Sequence, residues 1–471
     1  MTRNVEQWQL RDRFAHRLSA LYGNEVPAYT TLLDVSHEVN LDVLHARGAD
    51  AERLGSIDRV TAERHGAIRV GTQEELAQVG RIFAALGMHP VGFYDLRDAA
   101  PAPIPVVSTA FRPTSPDELS RNPFRVFVSL LVPEDRRFFN EDLAERLKNF
   151  LAARRLFSDE VLRLADRAVA ENGLEPGDAD RFLELAVSSF ALSREPVDRA
   201  WYRELERVSS VAADIGGVSS THINHLTPRV LDIDELYQRM AARGIEMIDR
   251  IQGPPKWAGP DILLRQTSFR ALAEPRRFIE ADGTISDGDL RVRFGEVEAR
   301  GMAPTPAGLS LYNSMLTATD ERSAGRPPSV RDEIMTQIWQ ENIPRDEHRL
   351  ITLDLAFFTF ELGADRPATG PAPRELTALL EEGWITATPI VYEDFLPRSA
   401  AGIFASNLTS NGVLDENEGG AHRDRAWMSH VIDRPISDPM ELYAAERAAS
   451  LERVAAQLEL DSIVLPGNVL R

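Results

Sequence analysis

The chain contains no cysteine, which excludes disulfides, thiolate zinc sites, iron–sulfur clusters and a cysteine nucleophile in one step. It has no run near the roughly 18 uninterrupted apolar residues of a membrane helix. Its opening residues, MTRNVEQWQLRDRF, hold no apolar core of the kind a secretory signal carries. Positive charge is in deficit: 53 Lys and Arg stand against 73 Asp and Glu, a net charge of −20. Nucleic acid and anionic membranes both need an attractive basic face, so neither is expected as a partner. A cytoplasmic protein acting on small molecules is expected instead. If its substrate is an anion, the whole protein repels it, and the site itself must supply cations. No low-complexity tract is present, and no signature of oligomeric state.

What is present suits a packed globular protein, with 43% hydrophobic and 27% charged residues. A chain of 471 residues outgrows one small core, and two or three units are expected. Apolar residues recur at helical spacing through WQLRDRFAHRLSALYG and LLDVSHEVNLDVLHARG, which predicts a helical segment over 1–60. Residues 61–135 read as strand (AIRV), helix (EELAQVGRIFAALG, stopped by Gly87) and three strands (VGFYDL, IPVVSTAF, FRVFVSLLV). Residues 136–215 return to helical periodicity, with Asn140 and Ser158 as N-caps and Gly173 as a stop. Over 216–302 the strand–helix–strands pattern recurs: HLTPRV, DIDELYQRMAARG, EMIDRI, DILLRQTSF and LRVRFGEVEA. Residues 303–471 are mixed, with helices near TPAGLSLYNSML and VRDEIMTQIW, a strand near WITATPIVYED, and a terminal helix begun by Asp438–Pro439. The fold class is α+β.

The two strand-rich units match each other. His65-Gly-Ala-Ile-Arg69-Val70 aligns with His225-Leu-Thr-Pro-Arg229-Val230, and Glu75-Leu76 with Glu235-Leu236. Gly87 aligns with Gly244, Thr109-Ala-Phe111-Arg112 with Thr267-Ser-Phe269-Arg270, and Phe124-Arg125-Val126 with Leu290-Arg291-Val292. Five matches in one order, at offsets of 157 to 166 residues, indicate a duplicated β-α-β-β-β unit. Two such units can pair into one curved, incomplete barrel whose concave face makes a pocket. His65 and His225 then start equivalent strands and point into the shared cavity. Arg69 and Arg229 each follow by four residues, an even number, and so lie on the same strand face as the histidines.

The last strand of the second unit, RVRFGEVEARG, adds Glu296 and Glu298. Aligned by the fifth match, Leu130 stands in the first unit where Glu296 stands in the second, so the carboxylate is an asymmetric addition to a symmetric frame. Two imidazoles and one carboxylate leave about three coordination positions open, the facial triad of Fe(II) oxygenases. Zinc fits the same ligands. Glu298 shares the face of Glu296 and is the alternative third ligand. His222, in THINH, has no counterpart in the first unit and is read at most as a neighbour of the ligands.

Paired β-α-β-β-β units with His on the first strand and Glu on the last resemble the vicinal oxygen chelate superfamily. The strings RHGAIRVGT, THINHLTPRVLDID, LLRQTSF, RFGEVEARG and YEDFLPRSAAGIF are similar to one branch of it, the 2-oxoadipate dioxygenase/decarboxylase (hydroxyglutarate synthase) family. The resemblance runs from VPAYTTLLDVSHEVN to the HRDRAWMSH region, nearly the whole chain. It implies that His65, His225 and Glu296 hold Fe(2+), that Arg69 contacts a substrate carboxylate, and that the loop Arg398-Ser399 lies against the substrate. Arg398 departs from the family pattern, which has a small apolar residue there. Gln266 would orient substrate or a water from an inner strand, and Arg229 is a further candidate contact. The implied reaction takes a small 2-oxo dicarboxylate, 2-oxoadipate, with O2 to 2-hydroxyglutarate and CO2, a step in lysine catabolism. The rivals are a non-redox metal-dependent lyase or isomerase of the same superfamily, and a binding protein that kept the cavity without the chemistry.

Overall fold

A computed structural model of the chain describes residues 4–99, 103–291, 293–367, 370–396 and 419–466. Its strands of four residues or more are β1 (Arg64–Val70), β2 (His89–Asp95), β3 (Val106–Arg112), β4 (Arg125–Leu131), β5 (His225–Pro228), β6 (Leu264–Phe269), β7 (Glu274–Ile279), β8 (Ile285–Leu290), β9 (Gly295–Arg300), β10 (Phe358–Leu362) and β11 (Ile385–Pro389).

The first unit is β1, the helix Gln73–Ala85 and β2–β4. Thr72 starts the helix through a capping box: its hydroxyl accepts from Glu75 N at 3.1 Å, and the Glu75 carboxylate accepts from Thr72 N at 3.2 Å. Gly87, at φ +66°, ends it, and Gly244, at φ +76°, follows the equivalent helix Ile233–Ala242. A side chain at either position would meet the strain of the left-handed region.

The strands lie in the order β2–β3–β4–β1–β5, with β1 parallel to β4 and antiparallel to β5. Beyond β5 the second unit repeats this order. Arg229 bridges Glu298 of β9 in parallel, β9 pairs antiparallel with β6, and Met247 and Gln252 bridge β6. The expected strand EMIDRI is thus reduced to one isolated bridge, at Met247, with a second at Gln252 just beyond it. Among the described residues no pairing joins β2 to this last segment, so the curved sheet stays open. This is the α+β architecture of two vicinal-oxygen-chelate-like units in an incomplete barrel.

The register corrects one detail of the repeat. Arg69 faces Ser129 and Thr109 faces Val128 in the first unit, while Arg229 faces Glu298 and Thr267 faces Val297 in the second. Both pairs put Phe127, not Leu130, in the place of Glu296. Leu290, expected to open the last strand, instead closes the hairpin β7–β8, which is inserted where the first unit has only the short helix Pro116–Arg121.

The outer sheet face, with Ile68, Val107, Val126 and Val128, packs on the N-terminal helices Gln7–Glu25 and Pro27–Arg47 and on Gln73–Ala85. The concave face, with Ala67, Ala110 and Phe127, packs on Glu141–Ala153, Arg199–Val208 and Ser210–Gly216. Asn140 and Ser158 cap helices as the sequence predicts, accepting from Leu143 N and Val161 N. A third core holds the C-terminal region, where β10 pairs with β11 under the helices Pro306–Ser323 and Pro439–Gln457. None of the described helices is long and apolar enough to cross a membrane.

Candidate metal and substrate site

In the antiparallel pair β1–β5, His65 faces Thr227 and His225 faces Ala67. Residues directly opposite share a face, and so do residues two apart, so both imidazoles stand on the concave side. Their ring centroids are 5.6 Å apart and nearly perpendicular. Glu296, on β9, reaches both: its Oε1 lies 3.4 Å from His65 Nε2 and its Oε2 lies 3.5 Å from His225 Nε2. One donor atom from each of the three lies within 4.8 Å of the others, and all three residues are buried. Ligand bonds of about 2 Å at tetrahedral or octahedral angles require separations of about 3 to 3.5 Å. The residues therefore fit a single ion, and among the described residues no other His/Cys/Asp/Glu group does.

Protonation follows the surroundings. Burial, then the neighbouring His65 and Arg69, hold the His225 ring well below its ordinary pKa, so it is a neutral donor. Burial opposes a charge on His65, but Glu298 and Glu296 outweigh it and raise its pKa. Burial raises Glu296 against the pull of His65. Glu298, the alternative third ligand, lies outside the cluster. Its Oε2 is 3.2 Å from the other ring nitrogen of His65, Nδ1. Burial alone would raise the Glu298 carboxyl, but Arg300, His65 and Arg125 hold it down at about 2.

Arg69 shares the concave face with His65 and forms a buried ion pair with Asp214, from the last helix of the insert. Asp214 also accepts from Asn224 Nδ2 at 2.9 Å and sits 3.4 Å from His222 Nε2. Burial drives His222 down to about 4 even beside Asp214, so it is neutral near pH 7. Gln266 is buried and stands directly opposite Glu298. Arg398 and Ser399 lie outside the described residues.

Arg229 does not take the place expected of it. Its Nη1 donates to Glu63 at 3.0 Å and its Nη2 donates to Leu54 O at 2.9 Å. It belongs to a buried charge network that sequence reasoning missed. Glu63 also accepts from Arg125 at 2.8 Å and pairs with Arg300 at 3.1 Å. Glu393 binds Arg125 and Arg59, while Arg112 holds Asp394 through two bonds of 2.9 and 3.0 Å. Arg300 Nη1 donates to Tyr392 O at 2.6 Å. The segment Tyr392–Leu396 is thereby tied to the sheet, and the Phe395 ring packs edge-on against His65 at 5.0 Å. The signal was available: Glu296, Glu298 and Arg300 alternate along one face, and Glu393-Asp394 is an acidic pair among apolar residues.

A paired β-α-β-β-β scaffold that brings two histidines and one glutamate to one buried point has the build of the vicinal oxygen chelate type, with a candidate metal site at that point. The family model described as 2-oxoadipate dioxygenase/decarboxylase matches residues 14–407. A Mycobacterium tuberculosis protein named 2-oxoadipate dioxygenase/decarboxylase is 52% identical over 94% of this chain and 98% of its own length. One of the same name from Pseudomonas putida is 39% identical over 96% of this chain and 98% of its own. Among solved structures, the hydroxyglutarate synthase from Pseudomonas putida in complex with 2-oxoadipate superposes with a TM-score of 0.81 at 36% identity, covering 98% of this chain and 100% of that one. The chain belongs to the 2-oxoadipate dioxygenase/decarboxylase family.

Proposed function

We propose that this chain converts 2-oxoadipate and O2 to 2-hydroxyglutarate and CO2 in lysine catabolism, using Fe(II) held by His65, His225 and Glu296. The observation that carries this reading is the convergence of those three side chains in a chain whose full-length relatives bear that activity as their name. Iron, when bound, supplies the redox chemistry with O2 that no side chain of this protein can provide.

The protein's own groups select and place the substrate. His65 and His225 present Nε2 toward Glu296, and three ligands on one side of an ion leave positions open for a 2-oxo acid beside them. Phe395, backed by Phe127, packs on His65 and Phe294 packs on His225, so apolar rings keep bulk water from that side of the site. Arg69 supplies the local cation that an anionic protein needs for a carboxylate, and its planar fork can take both oxygens. Gln266 offers an amide from β6 to orient substrate or a water, and Arg398 and Ser399 complete the proposed contacts.

The reading is tested by incubating iron-loaded protein with 2-oxoadipate in air and following O2, CO2 and 2-hydroxyglutarate together. Equal amounts of O2 consumed, CO2 released and 2-hydroxyglutarate formed are expected. Turnover of 2-oxoadipate under strict anaerobiosis would contradict it and favour a non-redox lyase or isomerase.

A further inference from the structure

The two histidines are supported in unlike ways. Behind His225 lies the Phe294 ring, 5.2 Å away centroid to centroid and tilted by 30°, and among the described residues His225 Nδ1 is buried with no hydrogen-bond partner. Behind His65 lies a carboxylate, Glu298, 3.2 Å from Nδ1. The equivalent position in the first unit is Ser129, a neutral hydroxyl that meets the Ser108 hydroxyl at 2.9 Å. Glu298 is thus a second asymmetric addition to the duplicated frame, two residues along β9 from Glu296 and on the same face.

Glu298 is itself fixed. Arg300 donates to it through Nε at 2.6 Å and through Nη2 at 3.0 Å, a two-bond grip that sets the carboxylate plane. Arg125 stands 3.5 Å from its Oε1. The oxygen facing His65 cannot wander. An imidazole that binds a metal through Nε2 must carry its proton on Nδ1, and an acceptor at Nδ1 sets both the tautomer and the ring orientation. In the present ring pose the Nδ1–Glu298 contact has the distance of a hydrogen bond but not its alignment. The ring angle is therefore what this carboxylate has to set when Nε2 takes its ligand.

We infer that Glu298 is a positioning residue: it holds His65 in the Nδ1–H tautomer with Nε2 aimed at the ion, while the back of the His225 ring packs against Phe294. This rests on His65, His225 and Glu296 being the metal ligands.

The test measures affinity of the metal-free full chain for Zn(II) and Fe(II) by chelator competition in four variants, with circular dichroism as the fold check. Glu298→Gln is expected to weaken metal binding about 10- to 100-fold, and Glu298→Asp to recover part of that loss. Glu63→Gln, in the same charge network but paired with Arg125, Arg229 and Arg300 rather than with His65, is expected to lose stability and keep its metal affinity. Glu296→Ala is expected to lose far more affinity than Glu298→Gln. If Glu296→Ala binds metal as the unsubstituted protein does, the ligand assignment itself is wrong. If Glu296→Ala fails to bind while folded Glu298→Gln stays within about twofold of the unsubstituted protein, the positioning role alone is overturned.

A second measurement needs no substitution and stands even if Glu298→Gln does not fold. In zinc-loaded protein, nitrogen-15 spectra are expected to show His65 coordinated through Nε2 and its Nδ1 proton deshielded and slow to exchange. Coordination through Nδ1, or a rapidly exchanging Nδ1 proton, would overturn the inference.

Discussion

Arg69, on the first strand of the first unit, and Asp214, on the last helix of the insert, form an ion pair in which each side chain is 3% exposed. The helical insert therefore reaches the concave face and holds the arginine proposed to meet the substrate. Removing one member of a buried, hydrogen-bonded charge pair costs about 2–5 kcal/mol. Asp214→Ala is expected to raise KM for 2-oxoadipate at least tenfold and to lower Tm, with metal stoichiometry unchanged. Steady-state kinetics beside metal analysis check this, and an unchanged KM would remove Arg69 from the substrate site.

Substitution of Arg69 separates the proposed substrate binding from metal chemistry. Arg69→Lys keeps the charge but loses the planar fork, so kcat/KM for 2-oxoadipate is expected to fall by about 2 kcal/mol, some thirtyfold. Metal affinity should stay as it was. Chelator competition and kinetics on one preparation decide the point.

Metal affinity should fall as the solution is acidified. His65 and Glu296 both have pKa values raised above their ordinary ones, and a metal must displace any proton they carry. His225, held well below its ordinary value, carries none to displace near neutrality. The logarithm of the apparent dissociation constant should therefore rise with falling pH, about tenfold per unit for each proton displaced, and flatten once His65 is neutral. Titrations by chelator competition between about pH 6 and pH 8 measure the slope, and a flat profile would contradict it.

The buried network around Glu63 should be destabilised by loss of one charge and resistant to acid when intact. Glu63→Gln leaves Arg125, Arg229 and Arg300 short of a carboxylate, at a cost of about 3–5 kcal/mol, read by denaturant unfolding. Glu63 and Glu298 have folded pKa values below their unfolded ones. Their contribution is present above the ordinary carboxylate range and is lost as pH falls from there toward their folded values. For Glu298 that window closes at about 2. Apoprotein that unfolded through these groups at pH 5 would contradict this sign.

Much of this arrangement was legible before any coordinates. The helices closed by Gly87 and Gly244 and the strands AIRV and FRVFV show their periods openly, because each has one face in an apolar core. His65 and His225 stood out through the repeat, since equivalent strand starts in a paired scaffold must meet. The hairpin β7–β8 was missed although Asp282-Gly283 marks its turn; its strands are half exposed and carry little apolar alternation. That insertion is also why the fifth match slipped by three residues and put Leu130 where Phe127 belongs. The bond of Arg229 to Glu63 is hidden for a different reason. Strand parity tells which face a side chain leaves from, not which of several carboxylates on that face it meets, and Glu63 comes from a segment with no repeat partner. Asp214 carried no sequence signal, because its partner lies 145 residues away.

The most direct measurement is anomalous diffraction at the iron edge from crystals of the iron-loaded protein. One peak is expected, bonded at about 2 Å to Nε2 of His65, Nε2 of His225 and a carboxylate oxygen of Glu296, with Glu298 on the far side of His65. A peak elsewhere, or none at these three residues in protein that consumes O2 with 2-oxoadipate, would contradict the proposed centre.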